Sequence, residues 1–332
     1  MKPSRELILS TAPYLTEPID TPRVMLEVLA VLGVCLAAAV WNFGVGALLV
    51  VGAACAGAML TEWAFTRGTE PSPLRDNSAL ITGVLLGLTL PPGFPLWMAF
   101  VGGASGIGLG KLVWGGLGQN LFNPALVGRA FLQASFPTAI TTWAKPVGWG
   151  EWLNIPASQF AAPLMSPTVD VVTGATPLGA AKFDHIYTDW SLLFSGQTGG
   201  SLGETSFVLL ILAGIWLGYR GIFDWRLSIS TLLSVVVFSG ALYLFNPVFL
   251  DPISMLMSGG LMFGAVFMVT DPATTPTTKK GAWIFGIGVG LLVVIIRCYG
   301  GLPEGVMYAI LLMNALTPHI NQYTQPRPFG AS

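Results

Sequence analysis

The stretch ITGVLLGLTLPPGFPLWMAFVGGASGIGLG, residues 81–110, decides the fold class. Two apolar runs lie on either side of a proline-rich turn, and the stretch contains no acidic or basic residue. Such runs are typical of helices that cross a bilayer, which need about 20 apolar residues. The first run ends at Pro91 and Pro92, so it predicts a broken helix that must be covered by protein or line a cavity.

The composition extends this prediction to the whole chain. Of the 332 residues, 53% are hydrophobic and 9% are charged, whereas soluble domains contain about 25% charged residues. The net charge of −1 provides no basic surface, so no nucleic-acid partner is expected. The cysteines Cys35, Cys55 and Cys298 are too few for the four ligands of a conventional iron–sulfur cluster. The chain is therefore expected to be an all-α polytopic membrane protein.

Ten apolar segments are predicted to lie in the lipid bilayer. The third, fifth and tenth are short, as expected for half-spanning helices, which transporters place around their binding sites. The ten segments are 24–41, 44–65, 78–92, 95–113, 120–136, 205–219, 227–246, 254–270, 281–299 and 303–318.

The distribution of Lys and Arg sets the predicted orientation. Cytoplasmic loops carry an excess of these residues, so both termini are expected in the cytoplasm and the long segment 137–204 on the outer face. Lys145, Lys182 and Arg297 are assigned to the outer side, and Arg129 falls within a span. The inner side receives Lys2, Arg5, Arg23, Arg67, Arg75, Lys111, Arg220, Arg226, Lys279, Lys280 and Arg327.

Two pairs of segments indicate an internal repeat. LLGLTLPP (85–92) parallels VFMVTDPATTP (266–276), and WGGLGQNLFNPALVGRAFL (114–132) parallels YGGLPEGVMYAILLMNALTP (299–318). Gly and Pro recur by chance in membrane proteins, but here both pairs occur in the same order at similar spacing. Repeats of five spans would be inverted, and inverted repeats commonly hold the working site at their interface. The predicted divisions are a cytoplasmic segment 1–23, a first repeat 24–136, an outer loop 137–204, a second repeat 205–318 and a cytoplasmic tail 319–332.

Two motifs have structural interpretations. GASGIGLGKL (103–112) fails the phosphate-loop pattern, because Ser105 stands where a glycine is needed and Leu112 follows the lysine. Its glycines predict close helix packing instead. Asn123 and Pro124 predict a helix N-cap and first helical residue, an arrangement that is also suited to lining a cavity.

Two charged residues lie in or beside the predicted spans. Arg129 falls within the fifth span and Asp271 follows the eighth. Charged residues at such positions are candidates for function. Structural roles have equal weight: Arg129 would be a counter-charge, and Asp271 would be a polar end cap. His185 and His319, one on each side of the membrane, are assigned no role.

The stretch VDVVTGATPLGAAK, residues 169–182, lies in the polar outer loop. Thr176 and Pro177 predict the N-cap and first residue of a short helix that runs to Lys182. The same stretch resembles the flavin-attachment pattern D-x-x-S/T-G-A-T of the RnfD/NqrB family of membrane subunits. The pattern here is formed by Asp170, Thr173, Gly174, Ala175 and Thr176.

Three further segments are similar to signature segments of the same family. The short stretch before the first span favours the RnfD branch, since NqrB carries a longer extension. The segments are SALITGVLLGLTLPP (78–92), GGLGQNLFNPALVGRAF (115–131) and FMVTDPATTPTT (267–278).

The resemblance implies ten transmembrane helices in two inverted five-helix repeats, similar to urea transporters. It implies FMN joined through its phosphate to Thr176 by a flavin transferase, with Asp170 positioning the segment for that enzyme. Riboflavin, held without a covalent bond, is expected as a second flavin. The residues assigned to this second flavin or to an ion path are Asn120, Asn123, Arg129, Thr270 and Asp271.

The implied function is that of an electron-transfer subunit in an Rnf-type complex, which couples ferredoxin and NAD redox chemistry to Na⁺ or H⁺ translocation. Its partners would be RnfA, RnfB, RnfC, RnfE and RnfG, with RnfG nearest on the outer face of a bacterial or archaeal cytoplasmic membrane. Three alternatives remain open: a channel or transporter without flavin, a subunit of the NqrB type in a sodium-pumping NADH:quinone reductase, and a structural anchor for other subunits.

Overall fold

The helices of the protein follow the apolar segments of its sequence. The computed structural model describes residues 21–68, 73–144, 146, 152–153, 155–163, 174–196, 198–204 and 207–326, and the regular secondary structure in them is helical. The all-α membrane fold is thus confirmed. The first half contains α1 (Thr21–Phe43), α2 (Gly46–Phe65), α3 (Ser78–Leu88), α4 (Leu96–Gly110) and α5 (Pro124–Ser135). The second contains α6 (Phe207–Tyr219), α7 (Trp225–Phe245), α8a (Pro252–Met257), α8b (Leu261–Phe263, continued by a π-helix Gly264–Met268), α9 (Lys279–Tyr299) and α10 (Val306–Thr324).

The helices differ in whether they can cross a bilayer alone. In the described residues, five helical stretches are long and apolar enough to do so: α1, α2, Leu96–Trp114, α7 and α9. The third and fifth segments are short, as predicted, since α3 has 11 residues and α5 has 12. The prediction of a short tenth segment is wrong. α10 has 19 residues and passes through Pro318, where the Thr317 hydroxyl donates to the Met313 carbonyl at 3.2 Å.

The eighth segment is interrupted, which the sequence prediction of a continuous span missed. α8a ends at Met257 and α8b begins at Leu261. Gly259 between them has a φ of +68°, a left-handed conformation that glycine adopts without steric cost. The break exposes the last carbonyls of α8a, which therefore need other donors.

Buried arginines supply donors at two broken helix ends. Arg129 on α5 donates to the carbonyl of Thr89, directly after α3. Arg297 on α9 donates to the carbonyls of Met255 at 2.7 Å and Ser258 at 3.1 Å, at the end of α8a. A cation at a helix C-terminus also opposes the helix dipole. Each half of the protein thus holds one broken helix end with one buried arginine.

The second and fourth helices pack closely against each other in each half of the protein. A Cβ atom at Gly103 on α4 would lie 2.1 Å from the carbonyl oxygen of Ala54 on α2, so the backbones approach as small residues allow. In the second half, the Ser234 hydroxyl on α7 donates to the Ile287 carbonyl on α9 at 2.9 Å. The second and fourth helices of each half therefore form its tightest contact, in line with the predicted repeat. The packing role predicted for the glycines of 103–112 is confirmed for Gly103, Gly106 and Gly110, whereas a Cβ atom at Gly108 would have no neighbour within 4 Å.

The long outer loop packs against one end of the helices. The Trp152 carbonyl accepts from Val45 N at 3.1 Å, in the turn between α1 and α2. The Gln159 side chain donates to the Pro92 carbonyl at 2.6 Å, after α3. Tyr187 donates to the Val248 carbonyl at 3.0 Å, after α7. In the predicted ten-span order, these three turns lie on the outer side of the membrane, as does the loop itself. The contacts of the described part of the loop therefore agree with its predicted position relative to these turns.

Two basic residues used for the orientation are not loop charges. Lys111 is buried and pairs with Glu62 on α2, and Arg297 is buried with Glu304. Lys111 had been assigned to the inner side and Arg297 to the outer side. The predicted excess of Lys and Arg on the side of the N-terminus therefore remains when both are left out.

Candidate functional site

Thr176 is the N-cap of a short helix, as predicted. Its hydroxyl oxygen accepts a hydrogen bond from Gly179 N at 3.1 Å, and Pro177 is the first helical residue. Just before it, Gly174 N donates to the Trp143 carbonyl at 3.1 Å. Thr176 is half-buried and Ala175 is exposed. Hydrogen bonds at Gly174 and Gly179 therefore hold the segment at both ends, while Ala175 between them remains exposed.

The short helix is pinned against the second half of the protein. Leu178 is buried, and a Cβ atom at Gly259 would lie 2.5 Å from its Cδ1 atom. The Lys182 ammonium group donates to the carbonyls of Leu302 at 3.0 Å and Ile296 at 3.4 Å, at the end of α9. Burial lowers the pKa of Lys182. These contacts fix Thr176 beside the break in α8.

Thr176 lies on the wall of a cavity, here called the outer cavity. The space accessible within it has a volume of about 40 Å³. The walls come from α5, the outer loop, the break in α8 and the turn before α10, and therefore from both halves. The lining residues are Arg129, Trp143, Thr176, Pro177, Leu178, Leu193, Thr198, Gly199, Glu204, Met257, Ser258, Gly259, Pro303 and Glu304.

One carboxylate of the outer cavity, Glu304, is fully compensated. It accepts from Arg297 at 3.1 Å and from the backbone N–H groups of Gly260 at 3.0 Å, Gly305 at 3.2 Å and Val306 at 3.4 Å. Burial opposes its ionisation, but the charge and hydrogen bond of Arg297 and the Gly260 N–H group together lower its pKa. Glu304 is therefore ionised at neutral pH.

The second carboxylate, Glu204, has a different environment. Its Oε2 atom accepts from Ser201 N at 3.3 Å. Burial and the neighbouring charge of Glu304 raise the pKa of Glu204, and they outweigh the Ser201 hydrogen bonds and the charge of Arg129. The outer cavity thus contains two carboxyl groups whose affinities for a proton are shifted in opposite directions.

A second cavity, here called the inner cavity, lies at the opposite ends of several of the same helices. The space accessible within it has a volume of about 110 Å³. Most of its surface is apolar, and its walls again come from both halves. The lining residues are Val24, Met25, Val28, Ser78, Ile81, Thr82, Leu85, Lys111, Leu117, Asn120, Asn123, Pro124, Leu217, Ile222, Phe223, Val266, Phe267, Thr270, Asp271, Pro272 and Ala273.

Two asparagines supply amide groups to the inner cavity. Asn123 is the N-cap of α5, as predicted, and its Oδ1 atom accepts from Ala125 N at 3.0 Å and Leu126 N at 3.4 Å. Asn120 is 5% exposed and donates to the Phe122 carbonyl at 3.2 Å, while its Oδ1 atom has no partner. A buried acceptor without a partner is costly. It therefore indicates that a donor from a ligand or water belongs there.

Asp271 acts as an end cap, which was one of its two predicted roles. Its Oδ1 atom accepts from Ala273 N at 3.2 Å and its Oδ2 atom from the Thr274 hydroxyl at 3.3 Å. The neighbouring Thr270 hydroxyl donates back to the Val266 carbonyl at 2.6 Å. Both residues line the inner cavity, so the capping turn also forms part of its wall.

A buried ion pair borders the inner cavity. The Lys111 ammonium group contacts Glu62 on α2 and the Ser78 hydroxyl at the start of α3. Both charged side chains are almost fully buried, and Glu62 Oε2 has no hydrogen-bond partner. The pair joins α2, α3 and the end of α4.

The structure divides the predicted site residues between the two cavities. Asn120, Asn123, Thr270 and Asp271 line the inner cavity together, although α5 and α8b are far apart in sequence. Arg129, which the sequence grouped with them, lines the outer cavity with Thr176. Asp170 and Thr173 of the attachment pattern lie outside the described residues.

The sequence reasoning missed Glu204, Glu304, Gly259 and the Lys111–Glu62 pair. One signal was available, because Glu204 and Glu304 are two of only 16 acidic residues, and they stand at the starts of the sixth and tenth apolar segments. Their meeting across 100 residues of sequence depends on packing and has no local signature.

Comparison with known proteins identifies the family. The chain matches the model of the NQR2, RnfD, RnfE family over residues 8–330. It is 38% identical to the D subunit of the proton-translocating ferredoxin:NAD(+) oxidoreductase complex of Clostridium ljungdahlii, over 97% of this chain and 96% of that protein. It is 39% identical to the D subunit of the Na(+)-translocating ferredoxin:NAD(+) oxidoreductase complex of Acetobacterium woodii, over 98% and 96%.

A third relative, the D subunit of the ion-translocating oxidoreductase complex of Stutzerimonas stutzeri, is 39% identical over 93% of this chain and 92% of its own length. All three are named as subunits of oxidoreductase complexes, and all align almost end to end. The resemblance found in the sequence is therefore confirmed, and the chain belongs to the NQR2, RnfD, RnfE family.

Proposed function

We propose that this protein is the D-type electron-transfer subunit of an Rnf complex and that it carries FMN covalently bound to Thr176. The complex would couple ferredoxin and NAD redox chemistry to the translocation of Na⁺ or H⁺. One observation carries the proposal for this chain: the threonine of the attachment pattern lies on the wall of a cavity that also contains Arg129. The relatives named above supply the class of complex.

The residues of the outer cavity fit FMN. A phosphodiester on Thr176 is an anion, and the positive charge of Arg129 on the same cavity wall compensates it. Trp143 supplies an aromatic surface for a planar ring. When bound, FMN supplies one-electron transfer, while the protein sets its position and electrostatics. The pinned helix that starts at Thr176 limits where the tethered group reaches.

The polar groups of the inner cavity suit the second expected flavin, riboflavin. This molecule lacks the phosphate and is uncharged, so amide and hydroxyl groups suit it better than an arginine. Asn120 Oδ1 is a free buried acceptor for a ring or ribityl donor, and Asn123 and Thr270 stand on the same wall. The cavity is also larger than the outer one.

The partners follow from the place of the flavins. RnfA, RnfB, RnfC, RnfE and RnfG would form the rest of the complex, with RnfG nearest to Thr176 on the outer face. A flavin transferase would be required for maturation, because a threonine hydroxyl is a weak nucleophile. The membrane would be a bacterial or archaeal cytoplasmic membrane with both termini inside.

The test is covalent attachment. The chain is co-expressed with a flavin transferase, separated on a denaturing gel and examined under ultraviolet light, with Thr176→Ala alongside. Thr198→Ala is a matched control, because Thr198 lines the same cavity. Fluorescence in the wild type and in the control, but not in Thr176→Ala, is expected. A non-fluorescent wild type beside a fluorescent positive control would instead favour a channel without flavin.

A further inference from the structure

The two carboxyl groups of the outer cavity flank the break in α8. Gly260 N donates to Glu304 at 3.0 Å. On the other side, a Cβ atom at Gly260 would lie 3.2 Å from Glu204 Oε1, and a Cβ atom at Gly200 would lie 2.6 Å from Glu204 Oε2. The Glu204 carboxyl group therefore sits between two glycines, in a space that a side chain at Gly200 would fill.

Glu204 differs from Glu304 in how its charge is balanced. Glu304 has an arginine and three backbone N–H groups. For Glu204, the part of the chain that the structure describes provides Ser201 as a donor and no cation within 4.0 Å. Two carboxyl groups with such unequal environments divide the roles of permanent charge and proton carrier.

We infer that Glu204 is the proton-accepting residue of the outer cavity: it takes up a proton from the outer aqueous phase when an electron arrives at the flavin on Thr176, and releases it when the electron leaves. The inference rests on the proposed attachment of FMN to Thr176. It assigns Glu204 a role that the attachment alone does not require.

The physical reason is charge balance in a confined site. An electron from a redox partner subunit adds one negative charge to a cavity that already holds the ionised Glu304. Arg129 offsets part of this charge. Arg297 already donates hydrogen bonds to Glu304 and to the end of α8a. The remaining change is neutralised when one O–H bond forms on Glu204, with the proton drawn from water. Oxidation breaks that bond and returns the proton.

The groups that face Glu204 act on its pKa in opposite senses, and those that raise it outweigh those that lower it. Burial and Glu304 raise the pKa of Glu204, while Arg129 and Ser201 lower it to a smaller extent. A further negative charge on the flavin raises this pKa again. Between the pKa of the oxidised form and that of the reduced form, reduction is accompanied by proton uptake. Below the first value Glu204 is protonated in both forms, and above the second it is ionised in both.

The experiment is a redox titration of the covalent flavin in the purified complex at several pH values. The series runs from about pH 6 to about pH 9, because raised carboxyl pKa values reach ~8–9. One proton per electron changes the equilibrium constant tenfold per pH unit, which is about 59 mV for a one-electron step. The midpoint potential of the wild type is expected to fall with rising pH. The Glu204→Gln variant is expected to show a smaller slope than the wild type.

Controls separate this inference from the proposed function. In-gel fluorescence of each preparation shows whether the flavin is attached, independently of its potential. Glu27→Gln removes a carboxylate from a distant ion pair on α1 and should keep the wild-type slope. An attached flavin with the same slope in the wild type and in Glu204→Gln overturns the assignment.

A second measurement covers the case in which Glu204→Gln does not assemble. Redox-difference infrared spectra of the wild-type complex should show the C=O band of a protonated carboxyl group appearing on reduction. Glu204→Asp, which keeps a carboxyl group on a shorter side chain, should retain the band at a shifted frequency. A reduced wild-type complex without any such band would contradict the role of Glu204.

Discussion

The two cavities have walls from both halves of the protein but differ in the chemistry of those walls. The outer cavity contains Arg129, Glu204 and Glu304, and part of its wall comes from the outer loop. The inner cavity is larger and mostly apolar, with amides and hydroxyls at Asn120, Asn123 and Thr270. Arg129 supplies the outer cavity with a cation for an anionic, tethered group, and the amide wall of the inner cavity suits an uncharged one.

α5 connects the two cavities. Asn123 at its start lines the inner cavity, and Arg129 lines the outer cavity. Six residues along a helix correspond to about 9 Å. The N-cap of this short helix and its buried arginine therefore line different cavities.

The largest expected effect concerns the ion pair beside the inner cavity. Lys111→Ala leaves Glu62 buried without its cation, and breaking a buried pair in this way costs about 3–5 kcal/mol. The free energy of unfolding, measured by denaturant titration in detergent, should fall by that amount. The double variant Glu62→Met with Lys111→Met should recover most of the loss. Equal stability of Lys111→Ala and the wild type would show that the pair is not buried as described.

The next effect is confined to the outer cavity. Gly259→Ala forces a side chain into a left-handed conformation and places its Cβ atom 2.1 Å from Glu304 Oε2. Such strain costs about 1–3 kcal/mol, and it displaces the platform on which Leu178 packs. Covalent flavin per protein should therefore fall. Gly33→Ala on α1, where a Cβ atom would have no neighbour within 4 Å, is the matched control, and equal flavin loading in both variants would refute the platform.

A smaller effect is expected in the inner cavity. Asn120→Leu removes an acceptor that has no protein partner, so a lost ligand hydrogen bond of about 0.5–1.5 kcal/mol is the expected cost to binding. Flavin released by acid precipitation should decrease, while in-gel fluorescence stays unchanged. Asn246→Leu, in the turn after α7 and in neither cavity lining, should change neither quantity. A parallel loss of both flavins in Asn120→Leu would show that the cavities are not independent.

The smallest effect is expected far from both cavities. Glu27 and Arg220 form an ion pair between α1 and the end of α6 whose side chains are 25% and 41% exposed. Exposed pairs are screened by salt and contribute little. Glu27→Gln should leave both flavin contents and the melting temperature unchanged. A loss of either flavin in this variant would mean that the pair helps to shape the inner cavity.

Hydrophobic patterning predicted most of the fold because the bilayer imposes it. Runs of apolar residues, proline turns and N-caps at Asn123 and Thr176 are local features, and the structure confirms them. The break in α8 was missed because serine and glycine, the residue types at Ser258, Gly259 and Gly260, also occur inside continuous membrane helices. It is the surrounding groups, Glu304 and Arg297, that stabilise the break.

The site was predicted in part for a related reason. Thr176 and Asn120 belong to short sequence motifs and could be found locally. The assignment of Arg129 to one cavity rather than the other depends on the direction of α5, which no motif states. Glu204 and Glu304 come together only because α8 breaks between them. Long-range packing of this kind is not visible in a single sequence.

The most direct test of the central claim is peptide mapping of the native complex. This chain is isolated from the assembled complex, digested and sequenced by mass spectrometry to locate the residue that carries the flavin mass. The account predicts one FMN per chain, joined through phosphate to Thr176. A chain without flavin, or one whose flavin lies on a residue remote from the outer cavity, would contradict it.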